Sequence, residues 1–240
     1  MKKLYLTSLI LLLFVLFAQE GYQIKVSFKP FKHQYIYLGH YFGKTYPIID
    51  SAMLNEQGTA VFKGNKKLNG GIYLIGYPNK TGFFEILVDK DQHFTVLADT
   101  ATVAKGVGFE GSADNTLFLT YQKRIGEKGK ILNGFQQQLK TATSKEDSTR
   151  IMGNITSADK NMQQYREDLI KQNPNTLLSA LLAAMRDPEM PANLKEPKTK
   201  ADSIAAYEFY KGKYWDGVNF WDGRLAYTTF FEEKLDKYFN

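Results

Sequence analysis

The spacing of apolar residues changes near Gly111, and this change constrains the fold more than any other feature of the chain. Before Gly111, apolar and polar residues alternate in short runs, as in residues 22–28, which is the period of a half-buried β-strand. After it, apolar residues recur every three or four positions, the period of an amphipathic helix. The sequence therefore predicts an α+β fold: an antiparallel β-sandwich or barrel-like domain at 19–111, then an all-α helical domain at 112–240.

The first half contains short runs rich in β-branched and aromatic residues, about ten residues apart and separated by turn signals. No helical pattern interrupts them, which argues against crossover units and a parallel sheet. Asp50-Ser51 is interpreted as a turn. The predicted strands are residues 22–28, 34–42, 60–62, 72–77, 83–88 and 93–97.

The second half begins with two long helices that should pair as an antiparallel hairpin joined at residues 141–143. Ser112 or Asp114 can cap the first, and Ser144 with Asp147 resembles a capping box for the second, which should end near Asn173. Three glycines weaken the first helix, each by about 1 kcal/mol relative to alanine. Further helices are predicted at 176–186, 201–211 and 225–239, with a proline-containing loop at about 187–200.

The N-terminus has the pattern of a secretory signal peptide at residues 1–18. Lys2 and Lys3 precede an uncharged apolar run that ends at Ala18. The alternative is an uncleaved anchor, but the run is shorter than the roughly 20 residues that span a bilayer as a helix. We therefore expect an exported protein of the periplasm or cell envelope of a Gram-negative bacterium, with no transmembrane segment after cleavage.

Charge and cysteine content exclude several function classes. Cleavage removes two lysines and no acid, which lowers the formal net charge from +6 to +4, and the basic residues are scattered. A nucleic-acid-binding protein would concentrate them on one face, so no nucleic-acid partner is expected. The chain has no cysteine, so a thiol nucleophile, a thiolate metal site or a redox pair cannot be formed within it.

Other catalytic or metal-binding patterns are also missing from the sequence. His33, His40 and His93 do not stand at a metal-ligand spacing with another histidine or a carboxylate. The chain contains no nucleophile elbow, P-loop or dinucleotide fingerprint. The sequence therefore predicts neither a cofactor nor an enzyme.

The tripeptide Trp-Asp-Gly occurs twice within ten residues, and it contains both tryptophans of the chain. One interpretation is a glycan platform, in which the indoles stack on sugar rings and Asp222 and Asn219 accept hydroxyl groups. The alternative is a pair of Asp-Gly turns whose aromatic residues pack beneath the last helix. The candidate binding residues are Trp215, Asp216, Asn219, Trp221, Asp222 and Arg224.

Four tripeptides begin with Asp followed by Ser or Thr and then a small or apolar residue. This pattern resembles the O-glycosylation sequon of some Gram-negative envelope proteins. The alternative is that such pairs are ordinary turn and cap residues, which fits Ser148 best because it lies in a predicted helix. The candidate modification sites are Ser51, Thr100, Ser148 and Ser203.

The order of these parts resembles a family of exported bacterial proteins with a thioredoxin-like domain. The export signal, residues 22–26 and Asp50-Ser51 resemble a β module of unknown function that precedes such domains. The second half resembles a helical module that lies between the two. That likeness is carried by residues 214–220, Asp222, Arg224-Leu225, Phe230, Lys234-Leu235 and Tyr238-Phe239.

In that family the redox cysteines lie in the thioredoxin-like domain, which these 240 residues do not contain. We expect either the front part of a longer protein, which the sequence favours slightly, or a variant that has lost that domain. The resemblance implies a non-catalytic envelope module that recognises a protein partner of a thioredoxin-like thiol–disulfide oxidoreductase system. The alternative is a glycan-binding envelope protein that uses the Trp215 and Trp221 segment.

Overall fold

A computed structural model describes residues 21–100 and 106–239. The predicted signal peptide and the Ala101 end of one candidate sequon lie outside these residues. The α+β class is confirmed: eight strands in the described part of the first half precede five α-helices. The strands are β1 (Tyr22–Lys29), β2 (Tyr35–His40), β3 (Ile48–Met53), β4 (Thr59–Gly64), β5 (Gly71–Gly76), β6 (Phe83–Val88), β7 (His93–Asp99) and β8 (Gly106–Glu110).

The strands form a sandwich of two four-stranded sheets. The first sheet has the order β4-β1-β7-β8, and the second has the order β3-β2-β5-β6. All pairings are antiparallel except β1 with β7, which is parallel. This one pair makes the first sheet mixed, and neither sheet is parallel as a whole. β4 pairs with one side of β1, and β7 pairs with the other side after β5 and β6 have joined the second sheet.

Two strands were missed in the sequence. β8 follows a short polar stretch and contains two glycines, and β3 includes Asp50-Ser51, which was interpreted as a turn. Asp50 fits the strand because its carboxylate accepts hydrogen bonds from the Tyr22 hydroxyl, at 3.0 Å, and from the Ser51 N–H, at 2.7 Å.

The first core fills the space between the sheets. Alternate residues of β1 and β2, such as Ile24, Val26, Ile36 and Leu38, are fully buried there. This alternation produces the period of two that predicted the strands. β5 is buried on both faces, because Tyr73 and Ile75 belong to this core while Ile72 and Leu74 point the other way.

The helices follow the predicted order: α1 (Ala113–Thr141), α2 (Lys145–Gln172), α3 (Leu177–Ala184), α4 (Lys200–Lys213) and α5 (Phe230–Phe239). Ser112 caps α1, and its hydroxyl accepts a hydrogen bond from the Asn115 N–H. Ser144 caps α2 in the same way through the Asp147 N–H. The last predicted helix is instead divided into a 3-10 helix (Gly223–Tyr227) and α5, with Thr228 and Thr229 between them.

The second core lies between the second sheet and the helices. Ile72, Leu74 and Leu87 on the outer face of the sheet share one buried cluster with Phe118 of α1 and Leu177 of α3. The two halves of the chain therefore pack on each other, and the predicted domain boundary at Gly111 stays a prediction. In the described part of the chain, no helix is long and apolar enough to cross a membrane.

Candidate functional site

The outer face of the second sheet is only half covered by helices, and its uncovered half is aromatic and apolar. The register places Tyr35 opposite Met53, and Gly76 between Tyr37 and Phe83. Tyr46 adds its ring 6.2 Å from that of Phe83. Most of these side chains are about half exposed. We call this surface the aromatic face and define it as Tyr35, Tyr37, Tyr46, Ile48, Met53 and Phe83.

The charged groups around the aromatic face differ in whether a binding partner could contact them. The Lys80 ammonium lies 4.7 Å from the centre of the Tyr37 ring, and Lys80 is exposed. The Glu85 carboxylate accepts hydrogen bonds from the Tyr41 hydroxyl, at 2.6 Å, and from Gln122, at 2.8 Å. Burial and this carboxylate raise the pKa of Tyr41 above its usual value, so the phenol stays a donor.

Asp50, on the neighbouring edge strand β3 and opposite Leu38, is likewise engaged. Burial and the hydrogen bond to Asp50 raise the pKa of Tyr22 to about 12. The Tyr22 phenol therefore remains protonated and continues to donate to the Asp50 carboxylate at neutral pH. The cation beside the aromatic face is available to a partner, whereas the two carboxylates are held by the fold.

Both edge strands of the second sheet have a hydrogen-bonding position occupied by a side chain. On β6, the buried Asn115 amide accepts from the Leu87 N–H at 2.7 Å and donates to the Leu87 carbonyl at 2.8 Å. On β3, the Ser51 N–H donates to Asp50. A free strand edge invites pairing with another chain, and side-chain capping blocks it at these positions. Sequence reasoning missed Asn115, which was visible only as a polar residue in the first turn of α1.

The repeated Trp-Asp-Gly segment forms turns, and its two tryptophans have different surroundings. Trp215 is partly buried, with its ring 5.2 Å from Tyr214, 5.7 Å from Phe220 and 5.6 Å from Tyr238. Trp221 is 96% exposed. The condition that would have excluded the glycan platform, burial of both indoles, is therefore not met.

The polar residues proposed for that platform are engaged within the protein. The Asn219 side chain accepts the Trp221 N–H at 3.1 Å, and Asp216 pairs with Lys213 at 3.0 Å. Asp222 accepts two charge-assisted bonds from Arg224, at 2.8 and 2.6 Å. These contacts leave Trp221 as the most available contact surface of the segment.

Arg224 joins this segment to the sandwich. Its third contact is with Asp89, in the turn after β6, at 2.7 Å. The guanidinium lowers the pKa of the Asp222 carboxyl, and the two carboxylates hold Arg224 charged by raising its pKa. Asp222 and Arg224, which were singled out as binding residues, therefore form a structural clamp with Asp89, a partner 135 positions away in sequence from Arg224.

Lys234 is a buried cation that sequence reasoning did not identify. It is 6% exposed, and its ammonium donates to the Ala184 carbonyl at 3.1 Å and lies 4.2 Å from the centre of the Tyr214 ring. Burial lowers the pKa of Lys234. A cation at the C-terminal carbonyls of a helix is favourable, so Lys234 ties α5 to the end of α3. The available signal was a lysine at helical spacing between Phe230 and Tyr238.

The four candidate modification sites differ in the use of their hydroxyl groups. Those of Thr100, Ser148 and Ser203 donate to backbone carbonyls at 3.0 to 3.2 Å. Ser51 is exposed on β3. O-glycosylation at these sites remains a prediction.

The three histidines are dispersed. His33 pairs with Glu56 at the surface, His40 packs between the Tyr73 and Tyr227 rings, and His93 begins β7. Within residues 21–100 and 106–239, no group of three His, Cys, Asp or Glu side chains is arranged to hold a metal ion.

Comparison with known proteins gives one match. Residues 22–118 match a family model described as a domain of unknown function (DUF4369). This agrees with the predicted N-terminal module of unknown function, and the matched stretch continues into α1 far enough to include Asn115 and Phe118. No curated protein and no solved structure gives a significant match.

Proposed function

We propose that this protein is a non-catalytic module of the bacterial cell envelope that recognises a protein partner of a thioredoxin-like thiol–disulfide oxidoreductase system. The observation that carries the proposal is the aromatic face. Soluble proteins rarely leave a contiguous apolar surface exposed unless it binds something. Aromatic residues and methionine are enriched in the cores of protein–protein interfaces, and five of the six residues of this face are of these types.

The opposite sheet supports this interpretation by contrast. Its outer face presents Lys25 and Lys63 to solvent, with Thr95 between polar neighbours, and its exposed apolar residues Val61 and Leu97 are aliphatic and not aromatic. This is the pattern expected of a sheet face that stays in water. The difference between the two outer faces supports the proposal that a partner binds the second sheet.

The envelope location and the thioredoxin association rest on the sequence. The charged, apolar and small-residue pattern of residues 1–18 supports export. The likeness to modules that accompany thioredoxin-like domains supports the second part. Because the chain has no cysteine, the thiol chemistry would be supplied by the partner and not by these residues.

The proposal is tested by purifying the native protein from its own envelope and measuring its intact mass together with that of every co-purifying protein. We expect a thioredoxin-like domain with a cysteine pair, either as extra mass on the same polypeptide or as a separate partner. A mass equal to that of residues 19–240, with no thioredoxin-like protein co-purifying, would contradict the proposal.

Paired surface variants make the same test specific. Phe83→Lys on the aromatic face should abolish co-purification of a separate partner. Val61→Lys, on the outer face of the first sheet, should leave it unchanged. Both positions are more than one-third exposed, so neither change places a charge in a core. Equal behaviour of the two variants would show that the partner binds elsewhere.

Glycan binding is the second candidate, and the exposure of Trp221 favours it. An indole held on a turn by the Asp222–Arg224 contacts can stack on a sugar ring. On a glycan array, the native protein should bind and Trp221→Ala should not, while Phe239→Ala, which changes another exposed aromatic residue, should bind normally. No binding by the native protein to envelope glycans would exclude this candidate.

A further inference from the structure

The covered half of the second sheet's outer face shows which kind of element this surface accepts. Ile72, Leu74 and Leu87 are buried there beneath helices, in the same cluster as Phe118 and Tyr121 of α1. The aromatic face begins in the next row of the same sheet, since Gly76 follows Leu74 by two residues on β5. The uncovered surface is therefore continuous with a sheet–helix interface that already exists in the protein.

The dimensions suit one more helix. Four strands spaced by about 4.8 Å give a surface about 14 Å wide, and a helix with its side chains is about 10–12 Å across. Gly76 carries no side chain, and the atoms nearest to a Cβ built there are at an ordinary contact distance of 3.5 Å. It leaves a gap between Tyr37 and Phe83 that an apolar side chain can enter.

The strand edges argue against an added strand as the occupant. On β6, the Asn115 amide is hydrogen-bonded to the Leu87 N–H and carbonyl. On β3, the Asp50 carboxylate accepts a hydrogen bond from the Ser51 N–H. A peptide that paired with either edge would have to displace these contacts. A partner that packs on the face of the sheet displaces none of these contacts.

The charge beside the face specifies the partner further. Lys80 is exposed, whereas Glu85 and Asp50 are held by hydrogen bonds within the protein. A second copy packed symmetrically on the same surface would bring two Lys80 side chains to one interface, because such an interface pairs a patch with itself. A partner with acidic residues would complement the lysine instead.

We propose that the aromatic face binds an amphipathic α-helix of a partner protein, with acidic residues beside its apolar stripe. This inference rests on the proposed function only in requiring a protein partner. It does not require that the partner contain a thioredoxin-like domain. The bound helix would lie beside α1 and extend the helical layer across the sheet.

The test begins in the native envelope with a photo-crosslinking residue. Phe83→p-benzoylphenylalanine reports on the aromatic face, Met53→p-benzoylphenylalanine repeats the test at a second position, and Val61→p-benzoylphenylalanine is the control on the opposite sheet. We expect adducts at 83 and 53 but not at 61. The cross-linked peptide should have apolar residues at helical spacing and flanking acids.

The cross-linked segment is then synthesised and titrated against the purified protein. It should gain helical circular dichroism on binding, and Lys80→Glu should weaken binding by about fivefold. Lys63→Glu, on the opposite sheet, should leave binding unchanged. In the cross-linking experiment, the inference is overturned if adducts at 83 and 53 are no stronger than those at 61, or if the adduct contains a second copy of this chain. In the titration, it is overturned if the segment binds without gaining helix, or if Lys80→Glu leaves its affinity unchanged.

These outcomes separate the two proposals. An acidic amphipathic helix from a protein without a thioredoxin-like domain would support the inference and contradict the oxidoreductase association. A thioredoxin-like partner cross-linked through an extended segment would support the oxidoreductase association and contradict the inference.

Discussion

Removal of the Arg224 guanidinium should separate the Trp-Asp-Gly segment from the sandwich. Arg224 makes three charge-assisted contacts of 2.6–2.8 Å with Asp222 and Asp89. The side chains are 26% exposed for Arg224, 12% for Asp222 and 11% for Asp89. In Arg224→Met, two largely buried carboxylates lose their shared cation while the aliphatic part of the side chain is approximately kept.

The expected loss of unfolding free energy is about 2–3 kcal/mol. Breaking a fully buried ion pair by removing one partner costs about 3–5 kcal/mol, and the residual exposure of Arg224 reduces this through solvent screening. The change should appear as a lower urea midpoint with an unchanged slope. Arg150→Met removes an exposed cation paired with Asp147 and serves as the matched control, with no measurable change in midpoint.

The loss should depend on pH in a defined direction. The pKa of Asp222 is lowered by Arg224 in the folded protein, so this contact stabilises the fold above the unfolded-state pKa of about 3.9. The stabilisation is lost as the pH falls through the folded-state pKa, because the carboxyl becomes protonated. The difference between native protein and Arg224→Met should therefore be full at neutral pH and shrink below about pH 4. An unchanged midpoint, or a difference that does not shrink in acid, would refute this reasoning.

Two further stability changes follow from local geometry. Asn115→Ala should lower the unfolding free energy by about 2–3 kcal/mol, because the buried Leu87 N–H and carbonyl both lose their partner; chemical denaturation measures this, and a loss below about 0.5 kcal/mol would contradict the edge-capping role. Gly126→Ala should raise the thermal midpoint, with a gain of about 0.5–1 kcal/mol, because an added Cβ meets nothing within 4 Å inside α1. Gly71→Ala is its contrast and should destabilise, because its Cβ would lie 2.3 Å from the Tyr227 Cβ; a gain at both positions would contradict the packing described.

The layered architecture was largely predictable because it depends on local periodicity. Short alternating or aromatic-rich runs between turn signals predicted six of the strands. The cap candidates Ser112 or Asp114, and Ser144, predicted where the two long helices start, and Ser112 is the cap of the first. α1 remains helical through Gly126, Gly129 and Gly134 because the apolar residues of its packed face recur at steps of three and four. Propensity costs of this size are overridden by tertiary packing.

The errors arose where a residue's role depends on a partner distant in sequence. Asp50 was interpreted as a turn residue, but it pairs with Leu38 in the β2–β3 ladder, and its carboxylate accepts a hydrogen bond from Tyr22, 28 positions earlier. Arg224 was proposed to bind a ligand, but Asp89 makes it a clamp. No local pattern reports such pairings, so they could not be found without the fold.

The aromatic face was beyond sequence reasoning for a related reason. Tyr35, Met53 and Phe83 lie on three strands, and only the register places them on one surface. The sequence predicted a strand at residues 72–77, but not that the helices would cover only half of the second sheet. The proposed binding surface is the part of the second sheet that the helices leave uncovered.

Whether a partner covers the aromatic face can be measured as the reactivity of a thiol placed on it in the native envelope. These 240 residues have no cysteine, so Met53→Cys adds one thiol on this face and Val61→Cys adds one on an edge strand of the opposite sheet, and labelling is read at the peptide that contains each introduced cysteine. Both should react equally with a maleimide in the purified protein. In the native envelope, we expect the thiol at 53 to be labelled at least about threefold more slowly than the thiol at 61, because a bound partner excludes the reagent. Equal labelling of the two thiols in the envelope would contradict the claim that the aromatic face is a partner-binding surface.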